Sequence, residues 1–333
     1  MRNNAFLKET PASLFAGRSD EPGRRLGEMI IPASLNDLKR GDMAIIGFSE
    51  YQGIVNNGGR VHPGGQKDAK VIEQLRTAGG PLAIRQRLYS MTSGSFRARI
   101  SPQLRIVDVG DVQLTDGSLA TDLQRLSELV TAICQKGAIP IVLGGGHHTS
   151  IGSIGGVAAA VAPGELGLLV VDAHCDFREL TPKMIHSGQP FRYLLSKYPQ
   201  IKPAAMLEIG LRPERNAAAH IDALRQLGVG LVERQMVSSA AIRQYLQHCQ
   251  TEQGLFLSVD IDAFAVSGAS AAYPGGLAIE FGRELMQQAA RQGKILGLDI
   301  CEVNPLLGED SAEFAAQLLW VFLAAYGFAA NDQ

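Results

Sequence analysis

The chain has 333 residues, 46% of them hydrophobic and 19% charged, with a net charge of −2. This composition supports a sizeable buried core. The near-neutral balance, without a dense basic block, leaves no electrostatic footprint for nucleic acid or an anionic membrane surface. Cys134, Cys175, Cys249 and Cys301 are far apart and form no CxxC pair, so they read as reduced thiols of a cytoplasmic protein. The first 17 residues lack the apolar core of a signal peptide, and the apolar stretch 318–326 is too short to span a bilayer.

Residues 1–40 are polar and irregular and read as an N-terminal extension. Residues 41–333 contain no linker, repeat or low-complexity block, which favours one domain over the two that length alone suggests. A buried strand is expected over 43–48, followed by a glycine-rich loop, SEYQGIVNNGGRVHPGGQ, and a helical arm over 66–79. Pro81 suits the first turn of a helix reaching about Ser90. Further strands are expected at 104–109, 139–143, 166–171, 205–210, 229–232, 255–261 and 295–300. Helical spacing of apolar residues occupies 119–133, 214–227, 239–250, 279–292 and 311–326, and Ser150 is a candidate cap for a small-residue helix. Alternation of this kind predicts a mostly parallel sheet covered by helices.

Four strands end in polar clusters. These are Gly144-Gly145-Gly146-His147-His148, then Asp172-Ala173-His174-Cys175-Asp176, then Asp260-Ile261-Asp262, and Cys301-Glu302-Val303-Asn304. The carboxyl ends of parallel strands share one edge, so these clusters should meet. In extended backbone, Asp172, His174 and Asp176 would point the same way, as would Asp260 and Asp262. Taken alone, DxHxD can also be a solvated strand end. Four carboxylates converging at reduced dielectric would repel by several kcal/mol. Two divalent cations remove that conflict and account for the surplus of acids.

The segments GGGHH, DAHCD, SVDID and EVNP, in this order and spacing, resemble the signatures of the ureohydrolase (arginase–agmatinase–formimidoylglutamase) family. Gly59-Arg60, Asp108-Val109-Gly110-Asp111 and Ile209-Gly210-Leu211-Arg212 add to the resemblance, which spans about nine-tenths of the chain. It implies a three-layer α/β/α fold with a mostly parallel sheet of about eight strands, on a trimer or hexamer. It also implies a centre of two divalent metal ions, manganese in the first instance. His147, Asp172, His174, Asp176, Asp260 and Asp262 fall on the metal ligands, with Asp172 and Asp260 close to both metals. Glu302 falls on the acid that holds the cationic amidine or guanidine, and Asp176 on a group able to pass a proton to the leaving nitrogen.

Two departures matter. GGGHH stands where GGDHS is common, and the acid-proline expected after Asp262 is missing. With NNGGR, the Phe177-Arg178 pair and HSGQPFRYL, these departures resemble the formimidoylglutamase branch. That branch implies a small acidic amidine substrate, N-formimidoyl-glutamate, hydrolysed to glutamate and formamide. Its two carboxylates call for fixed positive charge, for which Arg178 is the first candidate and Arg60 and Arg192 are weaker ones. The alternative within the family is a guanidino-compound hydrolase releasing urea. Outside it stand a metal-free structural subunit and a deacetylase, both disfavoured by the full ligand set with EVNP. His186 sits one residue out of register with a histidine of arginases, and no role is assigned to it.

Overall fold

The eight apolar runs expected as strands lie side by side in one sheet in the computed structural model, whose described residues are 3–17, 24–58, 79–95, 98–115, 117–181, 184–269, 271 and 274–329. In chain order they are β3 (Met43–Gly47), β6 (Ile106–Val112), β7 (Ile139–Leu143), β8 (Leu166–Val171), β9 (Ile201–Leu211), β10 (Gly230–Glu233), β11 (Gly254–Asp260) and β12 (Ile295–Cys301). Two short strands, β1 (Leu7–Lys8) and β2 (Ile31–Pro32), pair with β6, while β4 (Gly94–Ser95) and β5 (Ala98–Arg99) form a separate ribbon. The order across the main sheet is β1-β6-β3-β7-β12-β11-β8-β9-β10, and only β1 runs antiparallel.

Central parallel strands are covered on both faces, which is why β8 is an unbroken apolar run rather than an alternating one. Its Leu166, Leu168 and Val170 enter one core, and Leu169 and Val171 enter the other. The helices are α1 (Gln52–Asn56), α2 (Gly80–Ser90), α3 (Leu119–Gln135), α4 (Thr149–Ala158), α5 (Pro190–Lys197), α6 (Ala218–Gln226), α7 (Ile242–Cys249), α8 (Ile279–Gln292) and α9 (Asp310–Ala329). Helices α2, α7, α8 and α9 close one core, and α3 to α6 close the other. The result is the expected three-layer α/β/α fold, in which each fully buried aliphatic side chain contributes about 1.5–3 kcal/mol.

Several sequence expectations are altered by tertiary contacts. Within the expected N-terminal extension, Leu26 and Ile30 enter one core and Leu35 and Leu38 the other. The glycine-rich loop contains the short helix α1, and α5 follows the DAHCD loop unannounced. The helix expected over 214–227 is a 3-10 turn, Pro213–Arg215, followed by α6. Ser150 is no cap: it lies inside α4, and its hydroxyl donates to Asp299 Oδ2 at 2.8 Å. The arm at 66–79, Arg60 and His62 lie outside the described residues, apart from Gly79.

Asp108-Val109-Gly110-Asp111 has a structural task. Arg85, from α2, is 1% exposed and meets both Asp108 oxygens, at 2.9 and 3.0 Å, while its Nη1 meets Asp111. The Tyr89 hydroxyl donates to Asp108 at 2.6 Å. This buried cluster fastens α2 to β6, with the Arg85 guanidinium shared between two carboxylates. Among the described residues no helix is long and apolar enough to cross a membrane.

Candidate metal centre

Strands β7, β12, β11 and β8 are neighbours, so the four polar clusters share one stretch of the sheet edge. The register sets their heights. Val171 pairs with Val259, which puts Asp172 level with Asp260, and Asp260 pairs with Cys301, which puts Glu302 one step beyond. The loop after β7 is drawn in by two backbone bonds, Gly144 N–H to Ile300 O at 2.8 Å and Glu302 N–H to Gly145 O at 2.7 Å. Gly145 has to be glycine here, since a Cβ would come within 1.7 Å of Glu50 O.

The six expected ligands are brought together in two overlapping groups: His147, Asp172, Asp176 and Asp260 form one, and Asp172, His174 and Asp262 the other. His147 Nδ1 lies 2.9, 3.1 and 3.3 Å from Asp172, Asp176 and Asp260, and His174 Nδ1 lies 3.5 and 3.1 Å from Asp172 and Asp262. Asp172 turns one oxygen to each histidine, so it is the shared member. Asp260 belongs to the first group alone; its other oxygen accepts the Asp262 N–H at 2.8 Å. The expected alternation of an extended DxHxD is also corrected. The strand stops at Val171, and Asp176 has φ 40, a left-handed kink that turns it toward His147 while His174 faces Asp262.

Burial, bonding and charge set the proton affinities of these groups. Burial opposes charge on His147, but Asp172, Asp176 and Asp260 outweigh it and hold the imidazole well above its ordinary value. The same contest, led by Asp262 and Asp172, raises His174. Burial resists ionisation of Asp172, yet hydrogen bonds and charge from His147 and His174 keep it down at about 2. Burial and the neighbouring Asp172 push Asp176 up to about 6. Burial, with Asp262 and Asp172, raises Asp260 strongly. Burial, with Asp262 and Asp176, pushes Glu302 up to about 8. Carboxyls crowded this way gain by exchanging their protons for a cation.

The donor set also fits a metal pair. Asp262 Oδ1 is buried without a hydrogen bond, so it has a lone pair to offer. Imidazole nitrogen with carboxylate oxygen suits manganese, nickel or zinc. His147 is held for this task from behind. Its Nε2 is 3.1 Å from Ser258 Oγ, which donates to Asp299 Oδ1 at 2.7 Å, while Ser150 and Ser153 donate to Asp299 Oδ2. With Nε2–H donating to Ser258, Nδ1 carries the free lone pair toward the carboxylates.

Glu302, in left-handed backbone at φ 65, accepts the His147 N–H at 2.8 Å and reaches the same cavity. That cavity, about 660 Å³, is lined by His174, Asp176, Asp260, Asp262 and Glu302, and by Arg178, Arg215, Asn216 and His220. Arg178 is therefore beside the centre, whereas Arg192 is absent from the lining. Its guanidinium lies over the Phe177 ring at 4.4 Å and pairs with Glu179 at 3.0 Å. His186 is also outside the lining, with Nδ1 accepting the Gly188 N–H. His148, the residue that replaces a small one, is buried and meets Glu50 at 2.7 Å. That pair anchors the start of α1, whose Asn56 and the following Asn57 bond Ile185 O and Ser187 Oγ.

A parallel α/β sheet whose strand ends gather two histidines and four aspartates defines a binuclear metal-binding site of the hydrolase type. Residues 66–325 match the arginase family. The chain is 31% identical to the formimidoylglutamase of Chromobacterium violaceum over 288 residues, covering 84% of this chain and 86% of that one. It is 31% identical to that of Geobacillus thermodenitrificans over 314 residues, covering 90% of each. A solved formiminoglutamase of Trypanosoma cruzi with Mn2+ superposes with a TM-score of 0.78 at 26% identity, over 92% of this chain and 99% of that one. The chain belongs to the arginase family.

Proposed function

We propose that this chain hydrolyses the C–N bond of a linear amidine on an acidic amino acid, converting N-formimidoyl-L-glutamate and water to L-glutamate and formamide. The observation that carries this reading is the charge layout of one cavity, with buried carboxylates at its floor and an exposed Arg178 beside them. The formimidoylglutamase relatives at 31% identity support it.

His147, Asp172, Asp176 and Asp260 would hold one divalent cation and Asp172, His174 and Asp262 the other, and manganese fits these donors. Bound there, the pair supplies Lewis acidity and makes water a nucleophile near neutral pH. The remaining work belongs to side chains. Glu302 sets its carboxylate against the amidinium, a charge-assisted contact that orients the trigonal carbon. Water oxygen adds to that carbon. Asp176, at the floor of the cavity, takes a water proton and returns it to the substrate α-nitrogen as the C–N bond breaks. The protonated amine leaves, and the carbon retains the oxygen as formamide. The unpaired state of all four cysteines supports a reducing, cytoplasmic setting.

Manganese-loaded protein should release formamide and glutamate from formimidoyl-glutamate, and no urea from arginine, agmatine or guanidinobutyrate. Urea from any of these, without formamide, refutes the reading.

A further inference from the structure

The proposed substrate has two carboxylates, and of the arginines named from the sequence only Arg178 lines the cavity among the described residues. The structure supplies a second. Arg215 closes the 3-10 turn after β9 and lines the same cavity as Arg178. Both arginines are exposed, while Asp260, Asp262 and Glu302 are buried, so the cavity is acidic in its depth; the one exposed acid in its lining, Glu179, is paired with Arg192 at 3.0 Å, which leaves the mouth net basic.

The turn that carries Arg215 is tied on both sides to the ligand loop. The Arg212 N–H donates to Ala173 O at 3.0 Å. Asn216 Oδ1 accepts the Cys175 N–H at 2.7 Å, and its Nδ2 donates to Ala173 O and to Arg212 O, each at 2.9 Å. The backbone flanking Arg215 thus moves with the loop bearing His174, Asp176 and Arg178. Arg178 is fixed in turn by its N–H to Gly188 O at 2.9 Å. Two arginines on separate elements, their backbones each tied to the ligand loop or its neighbour, match a ligand with two carboxylates and one buried cationic end.

We propose that Arg215 is a substrate-binding residue that holds one carboxylate of a dicarboxylate amidine while Arg178 holds the other. The inference rests on the reading above and deepens it to a substrate class. A guanidino substrate with a second cationic group, such as agmatine, would meet two arginines at the mouth, so the pair also disfavours that class.

The test compares wild type, Arg215→Leu, Arg215→Lys and Arg178→Leu, all manganese-loaded. The substrates are formimidoyl-glutamate and two monocarboxylate analogues, N-formimidoyl-4-aminobutanoate and N-formimidoyl-2-aminobutanoate. Arg215→Leu should raise KM for formimidoyl-glutamate about 10-fold or more, with kcat within about 3-fold. It should leave KM for one analogue unchanged, and Arg178→Leu should spare the opposite analogue. Arg215→Lys should recover part of the loss, which a purely structural role would not. An unchanged KM in Arg215→Leu, or equal loss on both analogues, overturns the proposal. Calorimetric binding of L-glutamate, read without turnover, separates the two hypotheses. If wild type binds glutamate and Arg215→Leu weakens it about 10-fold while formimidoyl-glutamate is not hydrolysed, the proposed activity falls and the dicarboxylate site stands. If the variant binds glutamate as wild type does, the site falls whatever the activity.

Discussion

Ser258→Ala removes one oxygen that stands between two buried groups. In wild type His147 Nε2–H donates to Ser258 Oγ at 3.1 Å, and that hydroxyl is a donor to Asp299 Oδ1 at 2.7 Å. Alanine leaves an imidazole N–H without an acceptor and a buried carboxylate oxygen without this donor, each costing about 1–3 kcal/mol. Ser150 Oγ, 3.3 Å from Ser258 Oγ, can turn to recover part of this, so about 2–4 kcal/mol is expected. For 333 residues the unfolding entropy is about 0.7 kcal/mol/K, which makes the fall in Tm about 3–6 °C. The second consequence is local. An untethered imidazole can rotate or take the other tautomer, so the group containing His147 should bind manganese about 10–100-fold more weakly. The group of His174 and Asp262 should be little changed. Scanning calorimetry of chelated protein measures the first effect, and manganese titration followed by calorimetry and spin resonance resolves the two sites. If Tm falls while both affinities are retained, Ser258 serves packing and does not orient the ligand. Equal weakening of both sites would also refute the assignment.

Three further outcomes are expected. In metal-free protein Asp176 and Glu302 are raised to about 6 and about 8, and Asp260, His147 and His174 are also raised. The folded state then holds protons that the unfolded chain has released. The contribution of these groups is complete below their unfolded values and is lost as pH rises through the folded ones, so Tm of chelated protein should fall from about pH 5 to about pH 8. Manganese-loaded protein should show the reverse, and parallel curves in scanning fluorimetry would sink this account. Glu302→Gln should lower kcat/KM about 10–200-fold, the worth of one charge-assisted contact, with two metals per chain retained by elemental analysis. Arg85→Met strands Asp108 in the core and should cost about 3–5 kcal/mol, lowering Tm by about 4–7 °C without altering metal stoichiometry.

The clusters holding the six candidate ligands were legible because each cluster begins where an apolar strand ends. In a parallel sheet, where a strand stops is also where it meets its neighbours, so Asp172 and Asp260 could be placed together from their sequence contexts alone. What eluded the sequence depends on backbone direction or on partners far apart in the chain. The kink at Asp176 splits DAHCD between two groups, and nothing in the residue types announces a left-handed aspartate. His148 looked like a departure without a role until Glu50, 98 residues away, was seen against it. Arg215 and Asn216 follow the quoted Ile209–Arg212 segment, but only the bonds from Asn216 to Ala173 and Cys175 relate that turn to the ligands. Arg192 illustrates the converse: a charge near the motif in sequence is occupied by Phe177 and Glu179.

Asp176 and Glu302 are the only residues other than glycine, among those described, with positive φ. Each such residue costs of order 1 kcal/mol relative to a conformation it prefers, and each also places a carboxyl among like charges in the metal-free protein. Glycine at either position would relax the backbone and remove a repelling group at the cost of one bond to His147, and would take away a carboxyl that the proposed reaction uses. A selection for thermal stability blind to turnover would therefore be drawn to positions 176 and 302. Libraries built on this scaffold should hold both fixed, or screen for formamide release alongside heat resistance.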